Sequence, residues 1–261
     1  MIIIIVYIII NQDKITLCST CSIHKNERGL IMNFLQQISE RAKRDIQTIV
    51  LPESSDIRTI KAAAMVQEKG IARIVLVGKE KEIEKLAGEL DISKVGIVDP
   101  ESSPKFEEYA NAFYELRKAK GVTLEKAREI IRDELYWGVM MVKMGDADGM
   151  VSGAIHSTAD TLRPALQILK TAPGTKLVSS FFVIVVPDCE YGNNGTFVFS
   201  DCGLVENPGA EELSEIALAS AKSFKNLVEG DPKVAMLSYS SYGSAKSELV
   251  DKVVEATKLA K

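Results

Sequence analysis

The sequence predicts an α/β protein of two lobes, with largely parallel sheets that carry helices on both faces. From Met32 onward, short apolar runs bounded by turn residues alternate with helical patterns of roughly ten residues or more, which is typical of βαβ units. The chain of 261 residues is long enough for one large domain or two modest ones.

The first lobe is predicted to span residues 32–172. Its predicted strands are QTIVLP, ARIVLVG, KVGIVDP and ADGMVSG. Its predicted helices are NFLQQISERAKRD, Ser55–Lys69, KEIEKLAGEL, Lys105–Lys120, Thr123–Met144 and about Arg163 to Thr171. Thr123 is predicted to be an N-cap, with Glu125 in the first turn. Proline is favoured at the first helical position, so Pro164 places Arg163 at or next to the start of the last helix.

The second lobe is predicted to span residues 173–261 and to be incomplete, with Thr171–Thr175 as the best candidate for the boundary. The apolar runs KLVSSFFVIVVP and GTFVFSDC are joined by YGNNG, which suits a hairpin turn. The remaining predicted elements are a helix from Asn207 and Pro208 with Glu211 and Glu212 in its first turn, a strand KVAMLSY, and a helix Ser244–Ala260 with Leu249, Val250, Val253 and Val254 on one face.

Residues 1–31 differ from the rest of the chain. The apolar run MIIIIVYIII is shorter than the roughly 20 residues that span a bilayer, and it lacks the basic start and the cleavage site of a signal peptide. The single C-x-x-C motif CSTC has no second pair at zinc spacing. We therefore expect Met32 to be the working start, preceded by upstream sequence or a disordered, dispensable extension.

The composition and motifs of the chain argue against several classes of function. The net charge of −4 and the scattered lysines argue against nucleic-acid binding. The four cysteines do not form a secreted disulfide framework, so we expect a cytoplasmic protein. With only His24 and His156, a multi-histidine metal site is excluded, and no metal is predicted. The sequence contains neither G-x-x-x-x-G-K-[ST] nor a G-x-G-x-x-G after an early strand.

Three loops follow predicted strands and contain small or hydroxylated residues: Ser152–Thr161, SDCGLVENPGAEE and SYSSYGSAKSE. In open α/β sheets such loops bind ligands, so we expect their N–H groups to face an anion. A cation at a helix start is unfavourable, so Arg163 pairs with Asp160 or binds a phosphate. Acid–base roles and structural roles both remain open for His156, Asp188, Asp201, Glu206 and Cys202.

Several segments resemble the phosphate acetyltransferase family: DGMVSGAIHSTADTLRPALQI, VFSDCGLVENPGAEELSEIA, SYGSAKSELVDKVVEAT, VLPESSDIRTIKAA and YELRKAKGVTLEKA. The resemblance runs in order from Met32 to Lys261. It implies an acyltransferase of acetate metabolism that moves an acetyl group between coenzyme A (CoA) and phosphate. It also implies direct thiolate attack, no cofactor besides the substrate CoA, a homodimer, and two lobes arranged as in isocitrate and isopropylmalate dehydrogenases.

The resemblance also assigns residues. Arg163 in TLRPALQ and Arg117 in ELRKAKG match arginines that bind CoA in the family, and Ser157 and Thr158 are candidates for contacts to acetyl phosphate or phosphate. The family's catalytic aspartate and a Ser-Arg pair lie in a C-terminal segment beyond Lys261. We therefore expect a truncated chain with no catalytic residue, negligible acetyl transfer and a tendency to aggregate.

Three alternatives stand beside this hypothesis. Phosphate butyryltransferase carries out the same chemistry on a longer acyl group. A non-catalytic fragment that binds CoA or phosphate would fit a chain that lacks the catalytic segment. An isocitrate-type dehydrogenase would share the architecture, but its metal-binding aspartate cluster is not found in the sequence.

Overall fold

The computed structural model describes residues 34–240 and 243–261, which form two compact units. The first unit contains residues 39–170, and the second contains residues 34–38 together with 171–261. The N-terminal segment and its CSTC motif lie outside the described residues, so the expectations for them stay predictions.

A parallel sheet of four strands organises the first unit, in the order β3-β2-β1-β4. The strands are β1 Thr48–Leu51, β2 Arg73–Val77, β3 Gly96–Val98 and β4 Gly149–Met150. In the centre of the sheet, Val50 of β1 is in register with Val75 of β2 and Met150 of β4. The predicted parallel α/β architecture is therefore confirmed for this unit, and the carboxyl ends of all four strands lie at one edge.

Among the described residues, seven helices precede or alternate with these strands along the chain. They are α1 Phe34–Arg44, α2 Ile57–Lys69, α3 Glu80–Ala87, α4 Phe106–Arg117, α5 Leu124–Ile130, α6 Glu134–Met144 and α7 Thr158–Ile168. A 3₁₀ turn, Lys118–Lys120, follows α4. The prediction of Thr123 as an N-cap is confirmed, because its side chain accepts a hydrogen bond from the backbone N–H of Lys126.

The segment predicted as one helix over Thr123–Met144 is two helices, α5 and α6. Asp133 separates them in an extended conformation and caps α6, where its Oδ1 accepts from the N–H groups of Leu135 at 2.9 Å and Tyr136 at 3.1 Å. A side chain that accepts hydrogen bonds from two free N–H groups stabilises the start of a helix. The apolar pattern continues across Asp133, so the sequence predicted a single helix.

The predicted start of α7 at Arg163 is wrong, because the helix begins at Thr158. Ser157 is the N-cap, and its Oγ accepts from the N–H of Asp160 at 3.2 Å. Pro164 is therefore inside the helix, where it is buried and cannot donate to the carbonyl of Asp160. The capping interaction of Ser157, rather than the proline, determines where the helix starts.

The core of the first unit is packed around α6, whose Trp137 is 1% exposed. Its ring packs on that of buried Tyr109 with 4.6 Å between centroids. Gly138 lets the helix approach the sheet closely, since a Cβ there would lie 2.8 Å from the Sδ of Met150 and 3.2 Å from Cγ1 of Val50. The close packing of α6 against β1 and β4 thus depends on the absence of a Cβ at Gly138.

Within 171–261, the described residues of the second unit form an antiparallel hairpin and two helices. They are β5 Phe181–Val185, β6 Thr196–Ser200, α8 Ala210–Val228 and α9 Glu248–Leu259. The predicted hairpin is confirmed, whereas the prediction of a largely parallel sheet does not hold for the described residues of this unit. The N-cap of α8 is Gly209 rather than Asn207, and Glu212 accepts from its N–H at 2.9 Å.

The predicted strand KVAMLSY, residues 233–239, has no strand structure. No strand among the described residues pairs with it, and Leu237 is 85% exposed. A strand requires a neighbouring strand to pair with its backbone N–H and C=O groups, and the apolar pattern alone does not supply one.

In α9 the predicted apolar face is mixed, because Val250 is buried whereas Leu249 and Val254 are exposed. None of the helices formed by residues 34–240 and 243–261 has the length and apolarity needed to cross a bilayer.

We expect Gly138→Ala to lower the free energy of unfolding of the first unit by about 1–3 kcal/mol, because the added methyl group overpacks the contact between α6 and the sheet. Urea unfolding followed by the fluorescence of Trp137, the single tryptophan of the chain, measures this change. Gly96→Ala is the control, since its Cβ would meet Cγ2 of Val75 at 3.4 Å, an ordinary contact. Equal stability of both variants would contradict the packing argument.

Candidate functional site

The loop 153–156, which joins β4 to the N-cap of α7, is arranged around the carboxylate of Glu53. Glu53 follows β1 and is only 2% exposed. Its Oε2 accepts from the N–H groups of Gly153 at 2.8 Å and Ala154 at 2.7 Å. Its Oε1 accepts from the N–H groups of Ile155 at 3.0 Å and His156 at 2.9 Å. One internal carboxylate thus satisfies four successive backbone donors.

These donors keep Glu53 ionised. Burial by itself raises the pKa of the Glu53 carboxyl, but the hydrogen bonds from Ile155, Ala154 and His156 outweigh burial and lower the pKa from 4.5 to about 2. At neutral pH the buried side chain is therefore an anion whose charge is balanced by oriented N–H dipoles and by the imidazole.

Two residues that follow Glu53 in the chain make further contacts, Arg58 with the loop 153–156 and Ser54 with β2. Arg58 donates from Nη2 to the carbonyl of Ala154 at 2.7 Å and forms a two-pronged pair with Asp56, at 2.9 Å and 2.7 Å. Ser54 donates from Oγ to the carbonyl of Val77, the last residue of β2. Glu53 and Arg58, which follow β1, therefore hold the loop after β4, and Ser54 joins the chain after β1 to β2.

The expectation that loop 153–156 presents its N–H groups to a bound anion needs correction. The N–H groups do face an anion, but that anion is Glu53, part of the chain itself. Sequence reasoning missed Glu53, although an acidic residue directly after a parallel strand is a signal for a side chain at the functional edge of the sheet.

His156 is oriented by the same carboxylate. Its Nδ1 lies 2.9 Å from Oε1 of Glu53. Since an ionised carboxylate only accepts hydrogen bonds, Nδ1 carries the hydrogen in this contact. The imidazole is 27% exposed, and among the described residues Glu53 is its only hydrogen-bond partner. Nε2 is thus left without a protein partner in the described part of the chain.

Ser157, Asp160 and Arg163 form a connected group on the first turns of α7. Besides capping the helix, Ser157 donates from Oγ to Oδ2 of Asp160 at 2.6 Å. Arg163 lies with Nη1 3.4 Å from Oδ1 of Asp160, and both side chains are about half exposed, at 56% and 46%. Hydrogen bonds from Ser157 outweigh burial and lower the pKa of Asp160, and the charges of Arg163 and His156 lower it further.

The structure thus contains the predicted ion pair between Arg163 and Asp160. The helix-start argument for a phosphate at Arg163 does not hold, because Arg163 is inside α7. Thr158, the first residue of α7, is exposed, and its hydroxyl makes no hydrogen bond with the described residues.

Arg117, at the end of α4, shares a neighbour with Arg163. Both guanidinium groups act electrostatically on the phenol of Tyr136, where they oppose the burial that raises its pKa. Tyr136 donates to Oε1 of Gln167 at 3.1 Å. The Nε of Arg117 is buried and has no hydrogen-bond partner in the described part of the chain. The two predicted CoA-binding arginines therefore share an electrostatic interaction with Tyr136, a residue that sequence reasoning did not identify.

A cavity of about 560 Å³ opens at the carboxyl ends of β1, β2 and β3, and Ser54, Gly78, Lys79 and Asp99 are among the residues that line it. None of the four predicted binding residues lines this cavity. Glu134 lines it and also interacts electrostatically with His156. Burial raises the pKa of the Glu134 carboxyl, and the charge of His156 opposes this effect.

The second unit repeats the use of an internal carboxylate in a loop predicted to bind an anion. Asp201 accepts from the N–H groups of Ser180, Gly203 and Leu204, at 2.8, 2.7 and 2.7 Å. Burial raises the pKa of Asp201, but these hydrogen bonds outweigh it and lower the pKa. Asp188 and Glu206 are exposed and make no hydrogen bond to Asp201 within the described residues, so the structure does not assemble the carboxylate group considered from sequence.

Two other features of this unit were considered from sequence: Cys202 and the third predicted anion-binding loop, SYSSYGSAKSE. Cys202 is a partly buried free thiol. In the third loop, Oγ of Ser240 accepts from the N–H of Ala245 at 2.9 Å, whereas residues 241 and 242 lie outside the described part of the chain.

Comparison with known proteins gives one consistent result. The model of a family described as "Phosphate acetyl/butaryl transferase" matches residues 33–261. The phosphate acetyltransferase of Acetivibrio thermocellus is 69% identical over 230 residues, which cover 88% of this chain and 69% of the relative. That of Thermoanaerobacterium thermosaccharolyticum is 58% identical over 230 residues, covering 88% and 70%.

Solved structures agree with the sequence comparisons. A phosphotransacetylase from Streptococcus pyogenes matches with a TM-score of 0.79 and 42% identity, covering 89% of this chain and 69% of that chain. The EutD phosphotransacetylase from Staphylococcus aureus matches with a TM-score of 0.78 and 41% identity, covering 87% and 67%.

We expect Glu53→Gln to lower the free energy of unfolding at pH 7 by roughly 3 kcal/mol, from the fall in pKa from 4.5 to about 2. A depressed carboxyl pKa stabilises the fold fully above the unfolded value of 4.5, and this contribution is lost as pH falls toward 2. The difference between wild type and variant should therefore shrink between about pH 5 and pH 2.

Urea unfolding at pH 7 and at pH 3, followed by Trp137 fluorescence, tests this expectation. Glu107→Gln is the matched control, because it removes an exposed carboxylate paired with Arg128 and should change stability by about 1 kcal/mol or less. Equal destabilisation by the two variants at pH 7 would show that Glu53 does not stabilise the loop.

Proposed function

Because the chain belongs to the phosphate acetyl/butaryl transferase family, we propose that its first unit binds coenzyme A through Arg117 and Arg163. The activity is that of a phosphate acetyltransferase, which interconverts acetyl-CoA and phosphate with CoA and acetyl phosphate. The named relatives are acetyl rather than butyryl transferases. CoA and acetyl phosphate both carry phosphate groups, so the site needs cationic side chains that can bind these groups.

The observation that carries the proposal is the buried Nε of Arg117, which has no hydrogen-bond partner among the described residues. Buried donors are almost always hydrogen-bonded, and a guanidinium donor to a charged group contributes about 1.5–3 kcal/mol. A phosphate oxygen of CoA would satisfy this donor. Arg117 is the side chain that the resemblance to the family also assigns to CoA.

The ion pair between Arg163 and Asp160 is weak, and this supports the same proposal. The pair has a single contact of 3.4 Å between exposed side chains, and such pairs contribute about 1 kcal/mol or less. A phosphate can therefore replace Asp160 at little cost and engage the planar guanidinium with two hydrogen bonds. Both arginines also act electrostatically on the phenol of Tyr136, which supports a common role for them.

For the small anion, acetyl phosphate or phosphate, the two predicted hydroxyls are not equivalent. The Thr158 hydroxyl is exposed and has no hydrogen-bond partner within the described residues, so it can donate to a phosphoryl oxygen. The Ser157 hydroxyl already bonds to Asp160 and would have to exchange that carboxylate for the substrate. We therefore assign the direct phosphate contact to Thr158 and retain Ser157 as a contact that forms after exchange.

The proposal also includes the cytoplasm as the location, a role in acetate metabolism and a homodimeric assembly. Cysteine usage supports the first, and the resemblance to the family supports the other two. CoA is a substrate in this reaction, and the proposal requires no separate cofactor.

We expect Arg163→Ala to weaken CoA binding about tenfold or more, equivalent to roughly 1.4 kcal/mol. Arg163→Lys should recover only part of the affinity, because the planar fork is lost. Titration calorimetry with CoA gives Kd, and the formation of acetyl-CoA from CoA and acetyl phosphate gives KM. Arg128→Ala is the matched control, since it removes an exposed arginine of α5 that pairs with Glu107. An unchanged Kd in Arg163→Ala would leave the residue as a surface ion-pair partner only.

We expect Arg117→Ala to weaken CoA binding at least as strongly as Arg163→Ala, because its buried Nε has no partner within the described residues and would gain one from CoA. The same titrations test this ranking, with butyryl phosphate as an alternative acyl donor in the activity assay. Wild-type Kd in Arg117→Ala would contradict the assignment, and faster transfer from butyryl phosphate would contradict the acetyl preference.

A further inference from the structure

We propose that Gln167 donates a hydrogen bond from its side-chain amide to the nucleotide half of CoA, and that Tyr136 is the positioning residue that orients this amide. CoA is adenosine 3′,5′-bisphosphate joined to 4′-phosphopantetheine, and only the first half carries the adenine base and the 3′-phosphate. The inference rests on the proposed function, because it takes CoA as the ligand of Arg117 and Arg163.

The first support is the fixed orientation of the Gln167 amide. The phenol of Tyr136 donates to Oε1 of Gln167 at 3.1 Å, and both side chains are partly buried. Burial raises the pKa of Tyr136, so the phenol stays protonated and remains a donor. Because Oε1 accepts from the phenol, the NH₂ group lies on the other side of the amide, and it makes no hydrogen bond with the described residues.

The second support is the position of this amide on α7. Arg163 and Gln167 are four residues apart, so they lie on the same face of the helix. Long side chains on a helix lean toward its N-terminus and cover the preceding turn. The amide of Gln167 therefore lies over the turn that begins at Arg163, and its free NH₂ donors adjoin the position from which the guanidinium extends.

The third support is the corresponding relation on α4, which packs against both α6 and α7. The ring of Phe113 meets that of Tyr136 edge-on, with 5.7 Å between centroids. Arg117 follows Phe113 by one turn, and its side chain leans back over that turn. Tyr136 therefore contacts one residue on each of the two helices that carry the arginines, and each of these contacts is one turn from an arginine.

The chemistry of this group matches the nucleotide half of CoA. Two guanidinium groups and an amide NH₂ are all hydrogen-bond donors, and the buried Nε of Arg117 is without a partner among the described residues. Phosphate oxygens and the ring nitrogens of adenine are acceptors. A neutral amide adds a directed donor beside the two cations, which suits it to recognise a specific acceptor rather than charge alone.

Titration calorimetry with CoA, adenosine 3′,5′-bisphosphate and 4′-phosphopantetheine tests the contact. We expect Gln167→Ala to raise Kd for CoA and for the bisphosphate by the same factor, about three- to tenfold, and to leave Kd for 4′-phosphopantetheine unchanged. Dephospho-CoA identifies the acceptor: a smaller effect with this probe supports a contact to the 3′-phosphate, and an equal effect supports a contact to adenine. Unchanged Kd for CoA, or an equal loss with 4′-phosphopantetheine, would overturn the proposal.

Two further variants guard against a loss of structure, because the bond between Tyr136 and Gln167 also joins α6 to α7. Gln167→Glu can still accept from Tyr136 but lacks the NH₂ donors, so we expect it to weaken CoA binding at least as much as Gln167→Ala. Asn111→Ala is the matched control, since it removes an exposed amide of α4 that bonds to the carbonyl of Glu107 in its own helix. Urea unfolding followed by Trp137 fluorescence verifies that each variant is folded, and wild-type Kd in folded Gln167→Glu would overturn the contact.

A double-variant cycle tests the positioning role. Tyr136→Phe keeps the ring that packs on Phe113 but removes the donor to Gln167. We expect it to raise Kd for CoA about two- to fivefold. If Tyr136 acts through the amide, the double variant with Gln167→Ala should bind CoA as Gln167→Ala does alone, whereas losses that add would overturn this role.

The outcomes separate this inference from the proposed function. Weaker CoA binding in Arg117→Ala and Arg163→Ala, together with wild-type Kd in folded Gln167→Ala, would overturn the role of Gln167 alone. Wild-type Kd in both arginine variants, together with weaker binding in Gln167→Ala, would contradict the arginine assignment and leave the amide contact standing. A wild-type protein that binds neither CoA nor the bisphosphate would overturn both.

Discussion

The interaction on which the first unit depends is the set of hydrogen bonds between the buried carboxylate of Glu53 and loop 153–156. β4 has only two residues, so the sheet alone positions the chain after it poorly. Glu53 connects that chain to β1, and Arg58 strengthens the connection through the carbonyl of Ala154. The entry into α7, and with it the positions of His156 and Arg163, follows from this single buried charge.

This constraint changes how the anion-binding pattern of the sequence is understood. A glycine- and serine-rich loop before a helix predicts N–H groups that bind an anion, and the structure contains such groups, but Glu53 occupies them. In the second unit, Asp201 occupies the corresponding groups of its own loop. We therefore propose that side chains, Arg117, Arg163 and Thr158, bind the substrate phosphates in place of these backbone amides.

Much of the first unit could be predicted from sequence, because its strands are short apolar runs between clear turn residues and its helices have regular apolar faces. The starts of α6 and α7 could not be located reliably, since local caps at Asp133 and Ser157 determined them against a continuous apolar pattern and a proline signal. Segment 233–239 has the composition of a strand but no partner among the described residues. Contacts such as Glu53 with His156 join residues 103 positions apart, and no local pattern encodes them.

The most direct test of this account is amide hydrogen exchange at Gly153, Ala154, Ile155 and His156, measured by NMR at pH 7 with and without saturating phosphate. Because Glu53 holds these four amides in the free protein, the account predicts slow exchange that phosphate leaves unchanged. Fast exchange in the free protein that becomes slow only when phosphate binds would contradict it, since the loop would then be a phosphate site rather than one filled by its own carboxylate.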